Sequence, residues 1–65
     1  MEQEDLLEWL NELRIEHRDL DETIDYMVAT GHRDHMKIQR FKRRRLKLKD
    51  MISQLESQLI PDLDA

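Results

Sequence analysis

The chain has 65 residues, of which 40% are charged, and it carries a formal charge of −4 with no cysteine. A chain of this length supports one domain with a small core, so we expect a single domain over residues 1–65 that needs added support. Disulfides are excluded. Three histidines without a thiol do not supply the four Cys and His ligands of a closed structural zinc site, so the sequence predicts no metal and no cofactor.

Hydropathy patterning bears on the location of the protein. The sequence contains no long apolar run, and no charged-then-apolar leader precedes a cleavage site. We therefore expect no transmembrane segment and no secretory signal, and a cytoplasmic protein. Apolar residues nevertheless recur periodically in both halves, which favours an ordered helical chain over a disordered one.

The first predicted element is a helix from about residue 4 to residue 29. Its apolar positions alternate in steps of four and three, the spacing of a coiled-coil seam. The seam residues are Leu6, Leu10, Leu13, His17, Leu20, Ile24 and Met27. Asp5, followed by Glu8, fits a capping box at the start of this helix. Gly31 is expected to end it, because glycine adopts the left-handed C′ conformation without a Cβ clash.

A turn over residues 30–34 leads to a second predicted helix, from about residue 35 to residue 60. Asp34 is expected to cap this helix, and Pro61 to end it, which leaves residues 61–65 as a frayed tail. Its seam residues are Ile38, Phe41, Arg45, Leu48, Ile52, Leu55 and Leu59. A short connection between two long helices requires an antiparallel return. The predicted fold is all-α, an antiparallel two-helix coiled-coil hairpin that self-associates into a helical bundle.

Charge differs between the two predicted helices. Residues 2–28 carry ten acidic side chains and two arginines, a formal charge of −8, whereas residues 33–60 carry nine basic and three acidic side chains, a formal charge of +6. The helices should therefore attract each other, with Asp21 beside Lys42. Exposed ion pairs are each worth about 0–1 kcal/mol, so we assign these pairs to orientation and register rather than to stability.

Polar residues interrupt the apolar seam near the middle of the hairpin. His17 is predicted to lie level with Leu48, and Arg45 level with Leu20. Polar groups at seam positions commonly fix register or oligomeric state, so we predict a register-setting centre. It comprises His17, Leu20, Asp21, Arg45 and Leu48. A proton-sensitive role for His17 is an alternative, because burial would disfavour its charged form.

Two short sequence elements lie within this central region, one in each predicted helix. The first has the pattern His-x-x-Leu-Asp-x-x-Ile and the second the pattern Leu-x-Leu-Lys-Asp. The matching residues are His17, Leu20, Asp21 and Ile24, then Leu46, Leu48, Lys49 and Asp50. Both elements resemble the YdcH-like family of short bacterial helical-hairpin proteins. The resemblance implies the hairpin fold and a bacterial source, but no reaction, because the biochemical role of that family is not established.

Several apolar residues lie outside the seam. Leu46 and Asp50 fall at outward positions and Lys49 on the flank, while Leu7, Ile15 and Val28 lie on the side of the first helix that the return brings near Leu46. Trp9, together with Met51 and Tyr26, lies toward the opposite flank. Scattered surface apolar residues need no explanation. The alternative, which we favour, is a helix-packing surface for a second copy or another helical protein. Its residues are Leu7, Trp9, Ile15, Val28, Leu46, Lys49 and Asp50.

A basic run in the second predicted helix suggests another function. Residues 40–49 contain seven basic side chains, a density that favours phosphate binding. The candidate anion-binding residues are Arg40, Arg43, Arg44 and Lys47. On a helix these residues point to all sides, and the acidic first helix lies alongside, so we interpret the run mainly as a solvated face. Binding to nucleic acid or an anionic surface is therefore the alternative to a protein–protein interaction module.

Enzymatic activity is the function class with the least support in the sequence. We find no paired carboxylates, no nucleophile with an activating base and no phosphate-binding loop. A thin hairpin also offers no enclosed pocket in which His17 could act. The sequence therefore predicts a non-enzymatic protein without catalytic, cofactor-binding or metal-binding residues.

Overall fold

A computed structural model describes residues 3–59 as two helices, α1 (Gln3–Ala29) and α2 (His35–Leu59). The helices pack against each other along their length and confirm the predicted helical hairpin. Because α1 already begins at Gln3, Asp5 lies inside its first turn rather than at the N-cap, so the predicted capping box is wrong. Asp5 can still interact favourably with the positive end of the helix dipole. The predicted ending at Pro61 and the tail over residues 61–65 lie outside the described residues.

Two residues, Gly31 and Asp34, determine the structure of the turn between the helices. Gly31 has a φ of 67°, and its N–H donates to the Val28 carbonyl at 3.1 Å, while the His32 N–H donates to the Met27 carbonyl at 2.9 Å. These two bonds form a Schellman motif, which satisfies carbonyls at the end of α1. At the start of α2, the Lys37 N–H donates to Asp34 Oδ1 at 3.0 Å. The expected helix stop at Gly31 and the expected cap at Asp34 are both confirmed.

The core of the hairpin is the predicted seam. Seven seam residues are buried, and the other seven are half-buried. The buried residues are Leu10, Leu13, Ile24, Met27, Ile38, Leu48 and Leu55. Leu48 has no exposed surface, whereas the two polar seam residues, His17 and Arg45, are only half-buried. Among the described residues, no buried side chain is polar or charged, so the buried core of the hairpin is held together by apolar contacts.

Neither helix contains an apolar stretch of the length needed to cross a lipid bilayer.

Candidate functional site: two faces of the hairpin

An open groove of about 660 Å³ runs beside the middle of the seam. Its lining residues are His17, Lys42, Arg45, Leu46, Lys49 and Ile52. Leu46 follows the seam residue Arg45 and therefore points outward from α2, where 60% of its surface is exposed. Ile52, at a seam position, is half-buried. The groove therefore combines apolar side chains with basic ones on a surface that is open to solvent.

Positive charges flank this groove. Arg45 Nη1 lies 2.7 Å from Asp21 Oδ1, so Asp21 pairs with the seam arginine, and the salt bridges within residues 3–59 do not join it to Lys42, the residue predicted to lie beside it. The long arginine side chain keeps its stem in the seam while its guanidinium reaches the flanking carboxylate. The salt bridges within residues 3–59 involve neither Lys42 nor Lys49. The groove therefore carries two lysines whose charges are not paired with a carboxylate of residues 3–59.

His17 lies at one side of the groove, half-buried. Leu20 packs against the core cluster that contains Leu48, Arg45 pairs with Asp21, and His17 lines the same groove as Arg45. The predicted register-setting residues therefore lie in one region of the seam. Their role in register stays a prediction. Within residues 3–59, no group of three or more His, Cys, Asp or Glu side chains is arranged to hold a metal ion.

A second groove continues along the same side of the hairpin toward the turn. Val28, His32, His35 and Lys42 are among its lining residues, and Lys42 also lines the first groove. Val28 is exposed and therefore extends the apolar surface beyond Leu46. We call this side the Leu46 face and define it by Val28, Lys42, Leu46 and Lys49.

Other residues of the predicted interaction surface have different positions. Leu7, Ile15 and Asp50 are exposed, and none of the three contributes to the lining of either groove on the Leu46 face. The two grooves of the Leu46 face therefore do not connect Leu46 with Leu7 and Ile15 in a single apolar strip.

The opposite side of the hairpin carries another apolar groove near the start of α1. Its lining residues are Leu6, Trp9, Met51, Gln54, Leu55 and Gln58. Trp9, with 37% of its surface exposed, also lines a shallow depression with Asp5, Glu8 and Glu12. Glu16 follows Trp9 by seven residues and Arg44 precedes Met51 by seven, so both lie on this side. We call it the Trp9 face and define it by Trp9, Glu16, Arg44 and Met51.

Salt bridges between the helices mark each face. On the Trp9 face, Arg44 Nη2 lies 2.7 Å from Glu16 Oε2, and the Arg44 Nε–H donates to the same oxygen at 3.2 Å. On the other side, Arg14 Nη2 lies 2.6 Å from Glu56 Oε2. Neither of these two pairs was predicted from the sequence. A signal was present, because each joins two residues that flank the seam on the same side of the hairpin.

The basic run of residues 40–49 is only partly neutralised by α1. Arg44 and Arg45 form salt bridges, but the other five basic residues of the run have no such partner within residues 3–59. These residues are Arg40, Lys42, Arg43, Lys47 and Lys49. The acidic residues of α1 therefore offset the total charge of the run, but they form salt bridges with only two of its basic side chains, Arg44 and Arg45.

Comparison with curated proteins and with solved structures gives no match. The model of one family, described as protein of unknown function (DUF465), matches residues 10–56, which include both predicted sequence elements and the Leu46 groove. This match covers most of the chain and agrees with the resemblance carried by His17, Leu20, Asp21 and Ile24 in α1. The chain belongs to the YdcH-like family of small proteins of unknown function, DUF465.

Proposed function

We propose that the protein is a non-enzymatic interaction module that packs a helix of another molecule against its Leu46 face. The observation that carries this proposal is the position of Leu46, which is 60% exposed within a groove that Ile52 and His17 also line. An apolar side chain in a groove between two helices offers a third helix a place to pack its own apolar stripe.

The chemistry of the groove specifies the contact face of the partner. Lys42 and Lys49 lie on the groove without salt-bridge partners among residues 3–59. A partner helix with an apolar stripe and acidic residues beside it would contact Leu46 and both lysines together. Such charge complementarity mainly sets orientation and the rate of association, while the buried apolar contact supplies affinity.

A pull-down with the tagged protein from its native cell tests this proposal. Leu46→Glu should abolish recovery of the partner, because it places an acidic group in a groove expected to receive acidic residues. Met36→Glu is the matched control, since Met36 is an exposed α2 residue and lines neither groove of the Leu46 face. It should leave recovery unchanged. Equal recovery with Leu46→Glu and with wild type would contradict the proposal.

Anion binding by α2 is a second candidate function. Its support is the set of five basic residues in the run that have no salt-bridge partner within residues 3–59. Arg44, one of the predicted anion-binding residues, already holds Glu16, so Arg40, Arg43 and Lys47 would make the main contacts. Binding of this kind should weaken steeply as salt rises, because phosphates release counterions when they are neutralised.

Titration with RNA, DNA and anionic vesicles at two salt concentrations tests the second candidate. Binding at low salt that weakens at high salt, and that is lost in an Arg43→Glu/Lys47→Glu variant, is the expected result. Absence of binding at low salt would rule this candidate out. The Leu46→Glu variant should bind these anions almost as well as wild type, which separates the second candidate from the first.

A further inference from the structure

We infer that the Trp9 face binds the same face of a second copy of this chain, with α1 of each copy lying across α2 of the other. The occupant of this face is therefore a second hairpin, and the product is a dimer built as a four-helix bundle. This inference concerns a surface other than the Leu46 groove and does not depend on what that groove binds.

Two outer rows of charged residues border the Trp9 face. Along α1, Asp5, Glu12 and Asp19 follow one another at intervals of seven residues, and the first two line the depression beside Trp9. Along α2, Arg40 and Lys47 precede Gln54 at the same interval, and Gln54 lines the Trp9 groove. Tyr26 completes the described outer row of α1, so the row carries only acidic charges on α1 and only basic charges on α2.

The charges of these rows are exposed and find no partner inside the hairpin. All five side chains are exposed, and the salt bridges within residues 3–59 join other residues. The two rows lie on the outer sides of their helices, so the seam separates them. An acidic row and a basic row remain on one face, each available to a complementary row on another molecule.

Symmetry then decides which molecule fits. Two identical faces packed together can be related by a twofold axis that runs along the hairpin or across it. An axis across the hairpin places α1 on α1 and α2 on α2, which opposes like charges. An axis along the hairpin places α1 of each copy on α2 of the other, so the acidic row of one copy lies on the same side as the basic row of the other and the two rows overlap at Asp19 and Lys47. In that arrangement Asp19 lies near the level of Lys47 of the second copy, since Leu20 and Arg45 share a level of the seam.

Apolar contact and size also favour a second copy. The same axis brings Trp9 toward Met51 of the second copy, and Met51 toward its Trp9, so two identical apolar contacts form. The hairpin measures 43 × 24 × 16 Å, and its broad side offers on the order of 1,000 Å², against roughly 800 Å² per partner in a standard interface. A hairpin with a small core gains stability from such burial.

On the Leu46 face, acidic and basic residues are not segregated between the two helices. Its outer row on α1 contains Glu4, Asn11, Arg18 and Asp25, and its outer row on α2 contains Gln39, Leu46 and Ser53. Acidic, basic and neutral residues alternate on α1, and the described row on α2 carries no charge. A second copy placed on this face by the same symmetry would gain no matched rows, so we assign self-association to the Trp9 face alone.

Exchange of the charged rows tests the inference. In one variant, Glu12→Lys/Asp19→Lys makes the acidic row basic; in the other, Arg40→Glu/Lys47→Glu makes the basic row acidic. Each variant alone opposes like charges and should sediment as a folded monomer, whereas wild type sediments as a dimer. An equimolar mixture should recover the dimer, because every row then meets its opposite. Circular dichroism checks that both variants stay helical.

The outcomes separate this arrangement from others. A wild-type protein that stays monomeric at high micromolar concentration would overturn the inference, and so would variants that still form dimers alone or a mixture that stays monomeric. Loss of the dimer in Leu46→Glu would also overturn it, because the interface would then lie on the other face.

Cross-linking reports the arrangement of the helices directly, and each cysteine substitution removes only one charge from a row. The sequence contains no cysteine, so the introduced thiols are the only ones that can react with the cross-linker. A mixture of Asp19→Cys and Lys47→Cys chains treated with a short bis-maleimide should yield the mixed 19–47 product. Products that join only like positions, 19 to 19 and 47 to 47, would overturn the proposed axis even if the protein is a dimer.

Discussion

The Leu46 face and the Trp9 face lie on opposite sides of one seam and differ in the order of their charges. Both carry an exposed apolar anchor and a groove between the helices. The Leu46 face places that anchor beside lysines without salt-bridge partners within residues 3–59, while the Trp9 face segregates acids onto α1 and bases onto α2. Apolar content alone would not distinguish the faces. The charge pattern favours a different molecule on the Leu46 face and a second copy on the Trp9 face.

A cavity in the shared core should affect both faces and should have the largest effect. Leu48 has no exposed surface and belongs to the cluster formed with Leu10, Leu13 and Leu55. Leu48→Ala removes buried methyl groups and leaves a cavity, so the free energy of unfolding should fall by about 2–5 kcal/mol. Urea denaturation followed by circular dichroism measures this change. A loss below about 1 kcal/mol would mean that the seam does not supply the stability on which both faces depend.

Loss of the α2 cap should loosen both faces to a smaller and similar extent. In the Asp34→Ala variant the Lys37 N–H loses its acceptor, which should cost about 1 kcal/mol of stability. Asp50→Ala is the matched control, because Asp50 is an exposed aspartate within α2. Thermal unfolding of the two variants at equal protein concentration compares them. Equal destabilisation by both substitutions would show that Asp34 does not act as a cap.

Matched substitutions of the salt bridges sharpen the comparison between the faces. Asp21→Asn removes the pair with Arg45, and Glu16→Gln removes the pair with Arg44 on the Trp9 face. The four side chains are 31–49% exposed, so solvent screens both pairs and each change should cost about 0–1 kcal/mol of stability. Only Glu16→Gln should also weaken self-association, as measured by sedimentation. A weaker dimer in Asp21→Asn with no change in Glu16→Gln would reverse the assignment of the faces.

The sequence predicts the fold of this chain well because period and turn chemistry act locally. The steps of four and three placed every seam residue, and Gly31 and Asp34 marked the turn, since a positive φ and a helix N-cap are each favoured by few residue types. The capping box at Asp5 failed because α1 begins at Gln3. Local patterns locate a helix more reliably than they locate its first residue.

The candidate site was less predictable because it depends on where long side chains end. Position in the heptad placed Asp21 beside Lys42, but the guanidinium of Arg45 reaches out of the seam and takes the carboxylate. The grooves likewise depend on the gap that His17 and Ile52 leave next to Leu46, which residue type and spacing do not specify. The sequence did indicate that Leu46 and Trp9 lie on different flanks, and the structure places them in separate grooves.

The most direct test of separate roles for the two faces is the sedimentation equilibrium mass of two matched variants, Trp9→Glu and Leu46→Glu. Each replaces an exposed apolar anchor with the same acidic side chain, and the seam that holds the hairpin together is unchanged. We expect Leu46→Glu to keep the dimer mass of wild type and Trp9→Glu to sediment as a helical monomer. A dimeric Trp9→Glu protein or a monomeric Leu46→Glu protein would contradict this expectation.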